Sequence, residues 1–181
     1  ILSAASARPA TSAYLLIEGA SSGDTEFRLQ GDGNGLCDGA WTGGGADYAE
    51  YFEWDDGNVA HDDRIGYSVA LVDNKIKIAE PGDTVIGVVS GNAAVVGDAA
   101  WNKWNEKYLK DDFGRYDLDV DGYRQPNPAY DDQLTYIPRS DRKEWDTVGL
   151  MGKLRMRTGQ EVGPSWIKLR DINVGVVEEW L

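Results

Sequence analysis

Gly43-Gly44-Gly45-Ala46-Asp47-Tyr48-Ala49-Glu50-Tyr51-Phe52-Glu53-Trp54 sets the reading of everything around it. A glycine run leads into Asp47, Glu50 and Glu53, spaced by three and interleaved with aromatics. Three apart, the acids would share one face of a helical turn. Two carboxylates close to one peptide bond divide the work of cutting it: one stays protonated and acts as acid, the other stays ionised and activates an oxygen nucleophile. Tyr48, Tyr51, Phe52 and Trp54 supply apolar neighbours, and Gly43 to Gly45 give the backbone conformations that other residues resist. The plainer alternative is that Tyr48, Phe52 and Trp54 bury while the acids face water.

The block also separates two styles of chain. Residues 1–13 read as a linker, small and polar with one Arg, without the charged and apolar regions of a signal peptide. Beginning at Ile1 rather than Met, the chain reads as a piece of something longer. Residues 14–45 hold short apolar pieces, Tyr14–Ile17, Thr25–Leu29 and Leu36–Cys37, cut by Gly- and Asp-rich turns. Phe27 and Leu29 fall on one face of an alternating strand. Such strands are too few to bury a core alone, so they must pair with copies of themselves or with the domain C-terminal to them.

Residues 47–181 read as a compact β-rich domain. Arg64–Val72, Lys75–Ile78 and Thr84–Ser90 form a meander, turned at Asp73-Asn74 and Pro81-Gly82-Asp83. Thr147–Arg157, Ser165–Arg170 and Val174–Trp180 resume strand character. Asp98 can cap a helix of about 12 residues from Ala99, with Trp101, Trp104, Tyr108 and Leu109 on one face. Asp111–Pro138 reads as one long polar loop, and no internal repeat is evident. The expected fold class is therefore mainly β with a few short helices: a fibre-like β-segment, then a compact β-rich domain.

The balance of 18 Lys+Arg against 31 Asp+Glu gives a net charge of −13. That charge argues against nucleic acid or an anionic membrane as partner. Cys37 and His61 are each the only residue of their type, which excludes Cys/His zinc sites and an internal disulfide. A Cys37–His61 pair would need a positioned base, and Cys37 sits in a Gly-rich strand. Ser90 and Ser68 would need a buried lysine, whereas Lys75 and Lys77 alternate onto an exposed face. Asp117-Leu118-Asp119-Val120-Asp121-Gly122 opens like a calcium loop, with Asp117, Asp119 and Asp121 as ligands. Pro128 stands where the bidentate Glu belongs, so an acidic turn in a solvated loop is the competing reading. Phosphate-cradling glycine motifs are absent.

The longer blocks are more specific. Gly44 to Trp54 is followed by Ile86-Gly87-Val88-Val89-Ser90, Val96-Gly97-Asp98 and Lys107 to Arg115. Then come Asn127 to Asp131, Tyr136 to Ser140, Glu144 to Lys153 and Val177 to Leu181. Together, and in this order, they resemble the C-terminal intramolecular chaperone and autoproteolytic cleavage domain of bacteriophage tailspike and neck-appendage proteins, a glutamic-type self-cleaving peptidase family. The resemblance implies a homotrimer that templates the upstream fibre of the same chain and then releases itself. The implied cut is Ala46–Asp47, with Asp47 and Glu50 as catalytic acids and Glu53 in support. It implies residues 1–46 as the end of the fibre and 47–181 as the releasable part. It also implies a place in the virion tail and no required cofactor, with calcium as a candidate ion only at Asp117, Asp119 and Asp121. Where the family places a Ser before the bond, Ala46 offers no hydroxyl, so water or a carboxylate must supply the attack. Two rivals remain at this stage. One is a non-cleaving trimeric fibre tip that meets a glycan receptor through Tyr116, Tyr123 and Tyr130. The other is a calcium-stabilised β-domain without activity.

Overall fold

A computed structural model of the chain describes residues 13–18, 23, 25–30, 33–100 and 105–181. Its contacts divide the chain into two compact units, Ile1–Thr42 with Lys103–Thr135, and Gly43–Asn102 with Tyr136–Leu181. In the first unit, β1 (Ala13–Glu18), β2 (Thr25–Gln30) and β3 (Gly35–Cys37) form an antiparallel sheet in that order. The apolar pieces picked out in the sequence are these strands. Beside them, Phe27 meets Trp41 edge to face, with ring centroids 5.6 Å apart.

The second unit contains β4 (Asp47–Glu53), β5 (Ser68–Val72), β6 (Lys75–Ile78), β7 (Val85–Val89), β8 (Val95–Gly97) and β9 (Trp145–Gly152). They make one six-stranded sheet in the order β6-β5-β7-β9-β4-β8. The β5–β6 hairpin follows its turn signal, with Asp73, φ of 55°, making the tight turn into β6. The expected meander is corrected beyond that point: β7 pairs with the other edge of β5 rather than with β6, which puts β5 between them. A smaller antiparallel sheet of β10 (Leu154–Arg157), β11 (Lys168–Asn173) and β12 (Val177–Trp180) has the order β10-β12-β11.

The large sheet curls because its strands are unequal. β8 covers only Tyr48–Glu50 of β4. The chain beyond β4 is then free to meet the opposite edge. Trp54 bridges Ile76 of β6 in parallel, and the Asp55 N–H donates to the Ile76 carbonyl at 3.0 Å. The bridge covers part of the β6 edge, and covered edges are less open to aggregation. Inside the curl, Trp54, Val69, Ile76, Val89 and Val148 are fully buried, with Phe52, Ile78, Ile86 and Leu150 around them. The Trp54 indole donates to Asp146 Oδ2 at 2.7 Å, and the Arg64 guanidinium stacks 4.4 Å from its ring centroid. Strand alternation sends Val88, next to Val89, to the other face, where it packs with Leu154 and Met156 under Trp166 and Trp180.

No α-helix occurs among the described residues; there are two 3₁₀ turns, Asn105–Lys107 and Arg139–Asp141. This corrects the helix expected from Ala99, as far as it can be followed. Asp98 is not a cap: it has φ of 46°, and its Oδ2 receives Arg139 at 2.5 Å. Residues 101–104 lie outside the described set, and Tyr108 is extended, bridging Pro126. Tertiary pairing has overridden the 3.6-residue spacing.

The long loop is also corrected, because it contains a repeat. Leu109, Asp117 and Gln125 stand eight residues apart. Their backbones form a ring: Asp117 N–H to Leu109 O at 3.1 Å, Gln125 N–H to Asp117 O at 2.9 Å, and Leu109 N–H to Gln125 O at 3.0 Å. Between them, Lys110 bridges Tyr116 and Leu118 bridges Arg124. Each tip is tied by a carboxylate: Asp111 Oδ1 accepts from the N–H groups of Phe113 and Arg115, and Asp119 Oδ1 from those of Asp121 and Tyr123. Tyr108, Tyr116 and Arg124, again eight apart, pack on one another: the two rings meet edge to face at 6.2 Å, and Arg124 lies 4.0 Å from the Tyr116 ring centroid.

Paired carboxylates make the fold acid-sensitive. Two hydrogen bonds from Arg64, at 2.6 and 2.9 Å, hold the Asp56 carboxyl below the usual range. Lys77, 2.9 Å away, does the same for Asp83. A carboxyl depressed on folding adds stability above its ordinary pKa, about 4, and loses it as pH falls through the folded value. Asp146 works in the opposite sense: burial pushes it up, so the cost of its charge is relieved on acidification. Thermal unfolding midpoints measured from about pH 6 down to pH 2 should fall, and fall less steeply in Asp56→Asn. Equal slopes would show that the Asp56–Arg64 pair carries no such linkage.

Candidate active site

The Ala46–Asp47 peptide is gripped from two sides as it enters β4. On one side the chain passes Asn92–Ala94. The Ala94 N–H donates to the Asp47 carbonyl at 2.8 Å. A Cβ on Gly45 would lie 2.3 Å from Ala94 N and 2.5 Å from Asn92 O. The glycine run is therefore needed for close approach at Gly45, a different reason from the backbone freedom expected of it. On the other side stands the corner between β9 and β10. The Lys153 N–H donates to the Ala46 carbonyl at 3.2 Å. A cleft of about 260 Å³ opens beside the bond, lined by Gly45, Ala46, Asp47, Ser90, Lys153 and Leu154 among others.

β4 is a strand, and that decides where its acids go. Side chains alternate along a strand, so Asp47 and Glu50, an odd number apart, project from opposite faces. This corrects the helical turn that would have set all three acids on one face. Asp47 is buried, 7% exposed, on the side of Leu154: a Cβ on Gly149 would lie 2.5 Å from Asp47 Oδ2 and 2.8 Å from Leu154 Cδ2. Among the described residues, Asp47 Oδ2 has no hydrogen-bond partner. Glu50 lies on the face of Phe52 and is half-buried; its Oε1 accepts from the Tyr48 hydroxyl at 2.7 Å. That bond pushes the Tyr48 hydroxyl up, which keeps it a proton donor to Glu50.

Glu53 joins neither. Six residues of strand put it about 20 Å from Asp47, and Lys75 Nζ pairs with it at 2.7 Å. Asp117, Asp119 and Asp121 lie in the repeat, where Asp119 Oδ1 already accepts two backbone N–H groups. Among the described residues no group of three or more His, Cys, Asp or Glu side chains is gathered as a metal site would need. Cys37 donates to the Gly39 carbonyl at 3.1 Å. The sequence reading weighed Ser90 against Lys75 and Lys77 alone and missed that it shares the cleft with Lys153. Ser90 and Lys153 come from β7's end and the β9–β10 corner, and only the pairing of distant strands brings them to Ala46.

A peptide bond at the start of a strand, with a buried carboxylate on it and opening on a cleft, fits a self-cleaving domain. The family described as Peptidase_G2, IMC autoproteolytic cleavage domain, matches residues 1–125 and 118–174, and the chain belongs to it. The resemblance drawn from the sequence blocks is thus correct. The preneck appendage protein of Bacillus phage PZA is 40% identical over 132 residues, covering 67% of this chain and 15% of its own length. The pre-neck appendage protein of Bacillus phage phi29 is 39% identical over 132 residues, with the same 67% and 15% coverage. The chain thus spans about a seventh of these curated relatives, 15% of each. The solved structure of the pre-mature bacteriophage phi29 gene product 12 superposes with a TM-score of 0.75 at 30% identity, covering 87% of this chain and 24% of that one.

A buried carboxylate oxygen without a partner costs about 1–3 kcal/mol. Asp47→Ala should therefore leave the uncut chain at least as resistant to guanidinium as an uncut Glu50→Ala reference. A midpoint well below the reference would mean that Asp47 is a structural residue.

Proposed function

We propose that this chain is the intramolecular chaperone part of a phage tail-appendage protein, and that it cuts itself at Ala46–Asp47 by acid-type catalysis. The observation that carries the reading is the placement of that bond: it is fixed on both sides, lies beside the buried Asp47, and opens on a cleft wide enough for water. Asp47 and Glu50 are the acids. The ionised carboxylate takes a proton from water as its oxygen bonds to the Ala46 carbonyl carbon. The protonated one gives its proton to the Asp47 nitrogen as the C–N bond breaks. The products are a carboxylate at Ala46 and an amine at Asp47, and no cofactor enters. Glu53, bound to Lys75, has a structural part.

Because β4 turns Asp47 and Glu50 to opposite faces, one chain does not present both to one bond. The site is completed by a second copy, with Glu50 of one chain serving the bond of another in a homotrimer. Cutting is then conditional on assembly. This suits a chaperone. Intertwined β-fibres are rich in non-local contacts and fold slowly. A domain that trimerises first raises the local concentration of the strands it templates, and its release afterwards makes the assembly irreversible. Residues 1–46 stay with the fibre in the virion, and 47–181 depart.

The test is intact mass with a denaturing gel on fresh wild-type chain beside Asp47→Ala and Glu50→Ala. Wild type should break at Ala46–Asp47, and each substitution should slow the cut by about 10²–10⁴-fold. Folded, uncut wild type would remove the peptidase claim and leave a fibre-tip module, with Tyr116, Tyr123 and Tyr130 as its receptor surface.

A further inference from the structure

We propose that the backbone N–H of Lys153, carried into place by Gly152, is the oxyanion-binding group for cleavage at Ala46–Asp47. The inference rests on that bond being the one cut, and adds a catalytic group on a segment remote in sequence.

The scissile carbonyl is already engaged. Ala46 O accepts the Lys153 N–H at 3.2 Å. Attack at the carbonyl carbon moves the π-electron pair onto this oxygen, and a donor already aimed at it stabilises the charge without reorganising. A resting distance at the long end of the hydrogen-bond range leaves room to tighten as charge develops, so the gain falls on the transition state rather than on the bound peptide. Collapse returns the pair to the carbonyl and expels the Asp47 nitrogen, which takes up a proton. Water supplies the nucleophilic oxygen and both protons required.

The corner that carries this donor is built for close approach. Gly152 has φ of 102°, which L side chains rarely adopt. A Cβ there would lie 2.5 Å from Ala46 O and 3.1 Å from Asp47 Cα, in the path of the reacting carbonyl. Leu154, 5% exposed and packed with Val88 and Met156, pins the other side of Lys153. A register shift between β4 and β9 at Tyr48/Ala49 lies just before this corner. Such bulges re-aim backbone next to active sites. The donor is thus held by a glycine turn on one side and a core residue on the other. Lys153 itself is exposed and among the residues that line the cleft.

The experiment replaces the Gly152–Lys153 amide by an ester in the full chain, assembled by ligation with the α-hydroxy analogue of lysine at position 153. This removes one N–H and no side chain. A matched ester at Ala79, whose N–H donates to Ser68 O at 2.9 Å away from the cleft, controls for lost stability. Cleavage is followed by intact mass after refolding, and stability by guanidinium midpoint. The ester at Lys153 should slow cutting by about 10²–10³-fold, while the Ala79 ester cuts at the wild-type rate with a similarly lowered midpoint. Equal rates for the two esters and wild type would overturn the assignment while leaving the cleavage reading intact. Equal slowing by both esters would overturn it too, by reducing Lys153 to one more ladder bond. Wild type that is not cut at Ala46–Asp47 would overturn the reading beneath it, and the assignment with it.

Discussion

The pairing of β4 with β9, continued into the Trp54–Ile76 bridge, is the constraint on which the second unit depends. One strand must meet the far edge of the sheet, fill the core and carry the candidate acids Asp47 and Glu50. Its far end brings Trp54 into the centre of the curl, where replacing a large aromatic by Ala typically costs about 3–5 kcal/mol. Its near end sets Asp47 at the rim. Both ends are fixed by the same ladder, so the bond at Ala46–Asp47 takes up its gripped geometry only once the domain is folded. The alternation that packs Phe52 and Trp54 inward also sends Asp47 and Glu50 apart.

Among the described residues three buried polar atoms have no hydrogen-bond partner, Asp47 Oδ2, Ser68 Oγ and Trp145 Nε1, and Asp47 supplies the carboxylate among them. Asp47 is buried beside Leu154, on the face of β4 opposite Phe52 and Trp54, and its Oδ2 has no hydrogen-bond partner among the described residues. Elsewhere buried acids are answered: Glu179, 5% exposed, receives Arg170 at 2.8 Å, and Asp146 receives the Trp54 indole. An unanswered acid at Asp47 beside answered ones at Glu179 and Asp146 is the pattern expected where function has been kept against stability.

Much of this was legible in the chain. Asp73-Asn74 marked the β5–β6 hairpin because turn chemistry is local, whereas Pro81-Gly82-Asp83 marked a turn without saying that β7 would cross to the other edge of β5. The block from Gly43 to Trp54 marked the candidate bond. What could not be read locally was the state of that block. Acids three apart fit a helical turn as well as a strand, and only the pairing of Glu53 with Trp145 and Asp47 with Gly152 decides between them. The same holds for Gly45, whose reason is the passing chain at Asn92–Ala94, and for Lys153, which reaches the bond through β9. The ring of Leu109, Asp117 and Gln125 escaped for another reason. A period of eight is shorter than the repeats usually sought, although Asp111-x-x-Gly114 and Asp119-x-x-Gly122 show it once aligned.

Cleavage across chains is the central claim, because it joins the geometry of β4 to the logic of a chaperone that leaves only after assembly. The most direct measurement co-expresses Asp47→Ala and Glu50→Ala chains carrying tags of different mass, and reads the products by intact mass. Each variant alone should stay whole. In mixed assemblies the Glu50→Ala chain, which keeps Asp47 and borrows Glu50 from its neighbour, should be cut at Ala46–Asp47. Mixed assemblies that form and remain uncut would contradict the account and place both acids in a single chain's site.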